Sequence, residues 1–166
     1  MLEKDEVLLY FGSYNGVPVA LASFGFQSDA VSAFLTGEKN VEFEEIIYIG
    51  DCTSSLSSHA PGTVVIADGG DSGLQKRVLM TASHLNIAAE VLPAFPPAGN
   101  ESGNTDVFDS VTGLLYGFAK EYGIVALSVL TVSENKATGE HLDESEWRRR
   151  LYPAAQLVFD VFGTAT

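Results

Sequence analysis

A carboxylate flanked by a hydroxyl and an amide follows the most apolar stretch of this sequence. Ser133, Glu134 and Asn135 come directly after 124–132, a run of mainly aliphatic and β-branched residues that carries no charge. Such a run is typical of a strand covered on both faces. Ligands bind at the carboxyl ends of strands in open α/β sheets. The three residues therefore predict a polar tip beyond a buried strand, with Glu134 placed to touch a substrate.

The residues ahead of this strand predict the helix that positions it. Apolar residues recur there at three- and four-residue spacing, at Val111, Leu114, Leu115, Phe118 and Tyr122. Gly123 follows, where a helix often ends in a left-handed residue. Asp109 precedes the helix and has two possible roles. It can cap the helix, which is the favoured role for Asp at such a place, or it can bind a substrate hydroxyl group.

Strand and helix patterns alternate along the rest of the chain. Asn15-Gly16 predicts a hairpin turn between strands over 7–11 and 17–22. Short buried strands are predicted over 46–49, 64–67 and 88–92, and helices near 29–35, 74–85 and 143–162. The serines over 54–58 predict a flexible polar loop, and Pro153 is expected to kink or interrupt the last helix. This alternation indicates one α/β domain over 1–166 with a mixed sheet.

Composition excludes several classes of partner. The chain has 166 residues and a net charge of -13, which would repel a nucleic-acid backbone. Cys52 is the single cysteine, so no internal disulfide can form, and the acidic N-terminus lacks a signal-peptide core. No apolar run is long enough for a membrane helix. We expect a cytoplasmic protein without membrane or nucleic-acid partners, without a cofactor, and without a metal site, because the three histidines lack ligand spacing.

Several motifs carry a resemblance to a known family. The order helix, Lys-Glu-Tyr-Gly, strand, then Leu-Thr-Val-Ser-Glu over 130–134 resembles the C-terminal part of the purine nucleoside phosphorylase and uridine phosphorylase superfamily. The resemblance continues through 138–140 and is visible upstream at 11–16, 45–52 and 62–67. It touches most of the chain and is strongest after Asp109. It implies a three-layer α/β/α sandwich around a mixed central sheet.

The same resemblance implies a nucleoside or nucleobase as ligand. Glu134 stands where family members have an Asp, and it would hydrogen-bond the base and donate a proton as the glycosidic bond breaks. Ser133 and Asn135 flank it, and the rings of Phe24 and Phe26 could stack on the base. The family's ribose-binding Met-Glu pair aligns with Ser110 and Val111, and Val111 cannot accept a hydrogen bond from a hydroxyl.

The phosphate-binding residues of the family are not matched. Tyr48 stands where the family commonly has Arg, and Asp51 puts a negative charge where a phosphate oxygen would lie. The resemblance also implies a preceding glycine- and arginine-containing loop, which we expect to be missing here or supplied by a partner chain. Hydrolysis of an N-glycosidic bond therefore fits better than phosphorolysis. The alternative is a non-catalytic member with a structural or regulatory role. A homo-oligomer, dimer or larger, is expected in either case.

Overall fold

The structure is a computed structural model and describes residues 8–23, 28–37, 44–93 and 106–163. Within these ranges it has eight strands and four helices. The strands are β1 (Leu8–Tyr14), β2 (Val17–Ser23), β3 (Glu45–Ser54), β4 (Val64–Ala67), β5 (Ala89–Leu92), β6 (Val107–Phe108), β7 (Val125–Asn135) and β8 (Glu140–His141). The helices are α1 (Ser28–Gly37), α2 (Ser72–Leu85), α3 (Thr112–Tyr122) and α4 (Glu144–Gly163).

The central sheet is mixed. Its strand order is β5-β4-β7-β3-β6, and β8 pairs with the end of β7. The two longest strands, β3 and β7, run parallel as neighbours, so their carboxyl ends meet at one edge of the sheet. β4 runs antiparallel to β7, and β5 runs parallel to β4. β1 and β2 form a separate two-stranded sheet.

Apolar side chains of β3 and β7 alternate between two cores. On one face Leu127 and Val129 pack with α2 and α4. On the opposite face Ala126 packs with α1 and α3, and Leu130 packs with residues of β4, β5 and β6. Because both faces are covered, β7 is buried along most of its length. Helices therefore flank both faces of a mixed sheet, and the predicted α/β fold class is confirmed.

Two local predictions are confirmed by backbone geometry. Asn15 and Gly16 both have positive φ, 48° and 84°, as the turn of a tight hairpin requires. β1 and β2 pair in register on either side of them. α3 ends at Gly123, which is left-handed with φ 68° and donates its N–H to the carbonyl of Ala119.

The predicted polar tip after β7 is wrong, because Ser133, Glu134 and Asn135 belong to the strand itself. β3 is also longer than predicted and includes Ser54, which the sequence placed in a flexible loop. The register between the two strands shifts at Cys52/Thr53, so that Thr53 pairs with Glu134 and Ser133 is the extra residue of a β-bulge. Backbone pairing with neighbouring strands keeps these polar residues extended.

α4 continues without a break through Pro153. The prediction that this proline interrupts the last helix is therefore wrong. Proline removes one hydrogen bond in a helix interior. The turns on its C-terminal side are held by tertiary packing, since Ala154, Leu157 and Val161 are fully buried against α2 and the sheet. At its start the Asp143 carboxylate accepts the N–H of Glu146 at 2.8 Å and so caps the helix. None of the described helices combines the length and apolarity needed to cross a membrane.

Candidate functional site

Four polar side chains converge where β3 and β7 end. Thr53 Oγ1 lies 3.5 Å from Glu134 Oε2, and Ser133 Oγ donates a hydrogen bond to Asp51 Oδ2 at 2.7 Å. The bulge makes this possible, because it places Ser133 beside Asp51 while keeping Glu134 opposite Thr53. Glu134 is exposed, and Asp51 and Ser133 are half-buried. This edge therefore presents two carboxylates and two hydroxyls to solvent.

Asn135 lies next to Glu134 but is fully buried. Its Nδ2 donates to the carbonyls of Leu56 and His59 at 2.8 and 2.6 Å, and its Oδ1 accepts the N–H groups of Ala137 and Thr138 at 2.8 and 3.1 Å. Both ends of the amide are thus used inside the protein. Asn135 fastens the loop after β3 and the turn after β7, and it has no group left to offer a ligand.

A buried histidine links β3 and β5 beside this amide. His59 Nδ1 lies 2.9 Å from Ser54 Oγ, and His59 Nε2 lies 3.0 Å from Glu90 Oε2. An ionised carboxylate can only accept, so Nε2 carries a proton. The single hydroxyl hydrogen of Ser54 has two acceptors within reach, His59 Nδ1 at 2.9 Å and the carbonyl of Asp106 at 3.3 Å. Ser54 Oγ also accepts the N–H of Leu56 at 3.1 Å. Sequence reasoning missed this cluster, because its members are separated by up to 36 residues and meet only through the sheet.

The cluster has the members of a Ser-His-Glu triad but cannot act as one. Ser54 has no exposed surface, so a substrate carbonyl carbon cannot approach its Oγ. His59 is only 3% exposed. The cluster is therefore structural: it connects the end of β3 to β5 and holds the loop over 55–62 against the sheet.

Asp109 is engaged as a helix cap. Its Oδ2 accepts the N–H of Thr112 at 2.6 Å and its Oδ1 accepts the N–H of Val111 at 3.2 Å. Burial raises the pKa of this carboxyl above its ordinary value, the hydrogen bonds from Thr112 and Val111 oppose that change, and the charge of Asp51 adds to it. The capping role that the sequence favoured is the one its contacts show.

Tyr48 lies in the first half of β3, because the strand continues to Ser54. Its ring lies along the strand over Gly50, where any Cβ atom would collide with the phenol. Burial is the main cause that raises the pKa of the phenol, with additions from Asp109 and Asp51. Burial likewise raises the pKa of the Cys52 thiol.

The predicted ligand-binding residues fall into two groups on opposite faces of the sheet. Strand alternation puts Asp51, Thr53 and Glu134 on the face that α2 and α4 cover, and Tyr48 and Cys52 on the α3 face. Asp109 and the half-buried Ser110 precede α3 and belong to the second group. Phe24 and Phe26 lie outside the described residues.

No group of three or more His, Cys, Asp or Glu side chains in the described ranges is placed to hold a metal ion. The two carboxylates of the β3–β7 edge, Asp51 and Glu134, are therefore not part of a recognisable metal centre. The chemistry available there is hydrogen bonding and proton transfer by carboxyl and hydroxyl groups.

Comparison with solved structures places this geometry in a known fold. The structure of 5′-methylthioadenosine/S-adenosylhomocysteine nucleosidase from S. pneumoniae, solved with a transition-state inhibitor, superposes with a TM-score of 0.76. The match covers 96% of this chain and 87% of that chain, at 13% sequence identity. This chain therefore shares the fold of that nucleosidase. No protein-family profile and no curated protein sequence matches this chain.

Proposed function

We propose that this protein binds a nucleoside or nucleobase at the carboxyl ends of β3 and β7 and hydrolyses an N-glycosidic bond. The observation that carries the proposal is the convergence of Thr53, Asp51, Ser133 and Glu134 at this edge of a nucleosidase-like fold. In open α/β sheets such an edge is the usual location of a ligand. The similarity in fold supports the ligand class, and the polar groups supply the chemistry.

Glu134 is the proposed general acid. When the bond between the anomeric carbon and the base nitrogen breaks, the electron pair stays on the base, and a proton from Glu134 neutralises it. Water adds to the anomeric carbon and loses a proton, so the products are the free sugar and the neutral base. Thr53, in contact with the Glu134 carboxylate, would restrict its rotation. A positioned acid contributes about 10²–10⁴-fold to the rate of such a step.

Water is a better co-substrate here than phosphate. Asp51 is a carboxylate at the edge where a phosphate would enter. Because the Ser133 hydroxyl donates its hydrogen bond to Asp51, it does not donate to an anionic ligand. Tyr48 lies over Gly50 and brings no positive charge. Two anions held close repel each other. These contacts favour hydrolysis and disfavour phosphorolysis.

One observation favours a second candidate, a non-catalytic protein with the same fold and a structural or regulatory role. Asp109, the possible substitute for a ribose-binding carboxylate, has both oxygens committed to backbone N–H groups. Val111, at the aligned position, is buried and apolar. No carboxylate described at the start of α3 is then free of backbone hydrogen bonds to hold ribose hydroxyls, and a protein that binds a base without cleaving a nucleoside would need none.

A ligand screen separates the two candidates. Thermal unfolding is measured with adenosine, uridine, inosine and the corresponding bases, with and without phosphate, and base release is followed by chromatography. A nucleosidase raises its Tm with a nucleoside and releases the base. Stabilisation by a base without turnover supports the second candidate. If none of the compounds changes the Tm and no base is released, both nucleoside-based proposals fail.

We also propose a homo-oligomer, dimer or larger. The β1–β2 hairpin is a sheet of two strands in the described residues, and Phe11 and Leu21 on it are 71% and 44% exposed. Large apolar side chains and strand edges of this kind are commonly covered by association. Light scattering at micromolar concentration tests the proposal, and a monomer would contradict it.

A further inference from the structure

A small cavity lies away from the proposed nucleoside site, at the opposite end of β3. It is bounded by β2, α1 and the first residues of β3, and α3 and α4 complete its wall. Its volume is about 130 Å³. Representative lining residues are Ala22, Val31, Leu35, Val111, Leu115 and Phe162. The polar residues of the β3–β7 edge, Asp51, Ser133 and Glu134, do not line it.

The lining offers almost no hydrogen-bond partner. Glu45 reaches the cavity, but its carboxylate is in an ion pair with Arg77 at 2.6 Å. Tyr48 contributes its ring, while its hydroxyl lies over Gly50 further along the strand. A buried water needs two to four polar partners, so this space suits an apolar occupant. A cavity of about 150 Å³ with aliphatic and aromatic walls is large enough for benzene.

Two small side chains on β2 keep the space open. Ala20 and Ala22 are two residues apart, so both face the cavity from the same side of the strand. Ala20 is exposed, which places it at the mouth, and Ala22 is half-buried behind it. Larger apolar residues at these positions would fill the volume, as happens elsewhere in close-packed cores. The cavity therefore has an entrance and a site at which it can be closed by substitution.

We propose that this cavity is a binding site for a small apolar group about the size of a benzene ring. The ligand is a free molecule, because the cavity and the polar edge at Asp51 and Glu134 lie at opposite ends of β3. Tyr48 lies between this space and Asp109, the carboxylate that precedes α3. The proposal does not depend on nucleoside hydrolysis.

Toluene and indole are suitable probes of the intact protein. Toluene at saturation should raise the Tm of the wild type by about 2–4 °C, with a hyperbolic dependence on concentration. Ala22→Leu fills the space and should weaken toluene binding at least about tenfold. Ala88→Leu makes the same change at an exposed position outside the cavity and should leave binding intact.

A second variant keeps the test decisive if Ala22→Leu does not fold. Leu115→Ala enlarges the cavity and should shift the preference from toluene towards the larger indole. Equal toluene affinities in the wild type and Ala22→Leu, or no saturable Tm shift with either probe, would overturn the proposal.

Adenosine tests whether the cavity is separate from the proposed nucleoside site. If toluene and adenosine bind independently, the two sites are separate. If adenosine displaces toluene competitively, the proposal of a separate apolar site is overturned. Toluene binding without any nucleoside binding leaves this proposal standing while the proposed function fails.

Discussion

The end of β7 has two adjoining regions of opposite character. Glu134 is exposed and its carboxylate accepts a hydrogen bond from Thr53 at 3.5 Å, whereas its neighbour Asn135 is fully buried and its side chain makes four hydrogen bonds. Strand alternation separates them, because successive side chains point to opposite faces. The exposed side chain of Glu134 can meet a ligand. The buried side chain of Asn135 fixes the backbone that carries Glu134.

Glu134→Gln tests the exposed side and should have the largest effect. The amide keeps the size of the side chain but cannot supply a proton, so nucleoside hydrolysis should fall about 10²–10⁴-fold with an unchanged Tm. Glu140→Gln is the matched control on the adjoining strand β8 and should retain full activity. Equal activity of Glu134→Gln and wild type would remove Glu134 from the mechanism.

Asn135→Ala tests the buried side. Two carbonyls and two N–H groups would lose their partners, and we expect a loss of about 2–4 kcal/mol in the free energy of unfolding. Lys136→Ala, at the exposed next position, should change it by less than about 0.5 kcal/mol. Urea denaturation measures both variants. If Asn135→Ala leaves the free energy of unfolding unchanged, water replaces the amide and the two regions do not differ in rigidity.

Gly50→Ala extends the comparison to the other face of β3. The added methyl group collides with the Tyr48 phenol, so the variant should be destabilised by about 1–3 kcal/mol. Gly117→Ala in α3 has open space around it and should instead be stabilised by about 0.5–1 kcal/mol. Adding Tyr48→Ala should remove most of the penalty at Gly50, and additive effects of the two substitutions would contradict the assigned contact.

Asp109→Asn tests a buried carboxyl that does not belong to the proposed edge. The substitution replaces one capping oxygen with an NH2 group, which faces a backbone N–H and cannot accept its hydrogen bond. At neutral pH we expect the free energy of unfolding to fall by about 1 kcal/mol. Because burial raises the folded-state pKa above the ordinary 3.8, the unfolded chain releases its proton first as the pH rises. The wild type should therefore lose stability relative to Asp109→Asn as the pH rises above about 3.8. Unfolding at several pH values checks the sign, and the opposite slope would refute it.

Phosphate should have the smallest effect. With Asp51 at the entrance and no positive charge contributed by Tyr48, adding phosphate should not accelerate nucleoside cleavage or raise the Tm beyond the shift that an equal concentration of sulfate produces. Kinetics with and without phosphate measure this. A phosphate-dependent rate would mean that positive groups outside the described residues reach the edge.

The elements with local causes could be predicted from the sequence. Asn15-Gly16 specifies its turn by the conformations these two residues tolerate, and Gly123 ends α3 for the same reason. The buried strand after Gly123 follows from its apolar run. The family resemblance added the layered fold, which the superposition bears out.

The details with non-local causes could not be predicted. Nothing adjacent to Ser54 or Ser133 reveals that pairing between β3 and β7 continues through them, and the His59 cluster exists only because the sheet brings β3 and β5 near one loop. Pro153 carries a local signal against a helix, and burial of the residues after it overrides that signal. Tertiary packing thus decided each place where local reasoning failed.

The bulge at Ser133 also bears on how this edge tolerates changes in chain length. On either side of it, Val132 pairs with Cys52 and Glu134 pairs with Thr53, so Ser133 has no partner of its own on β3. Deleting Ser133 would leave every following pair in place and remove only the hydroxyl that holds Asp51. Deleting Glu134 instead would let Ser133 pair with Thr53 and would leave Asn135 opposite Ser54, so the ladder would be regular again but the carboxylate would be lost. We therefore expect the sheet to tolerate the loss of either residue of the bulge, and only the variant that keeps Glu134 to retain the proposed activity.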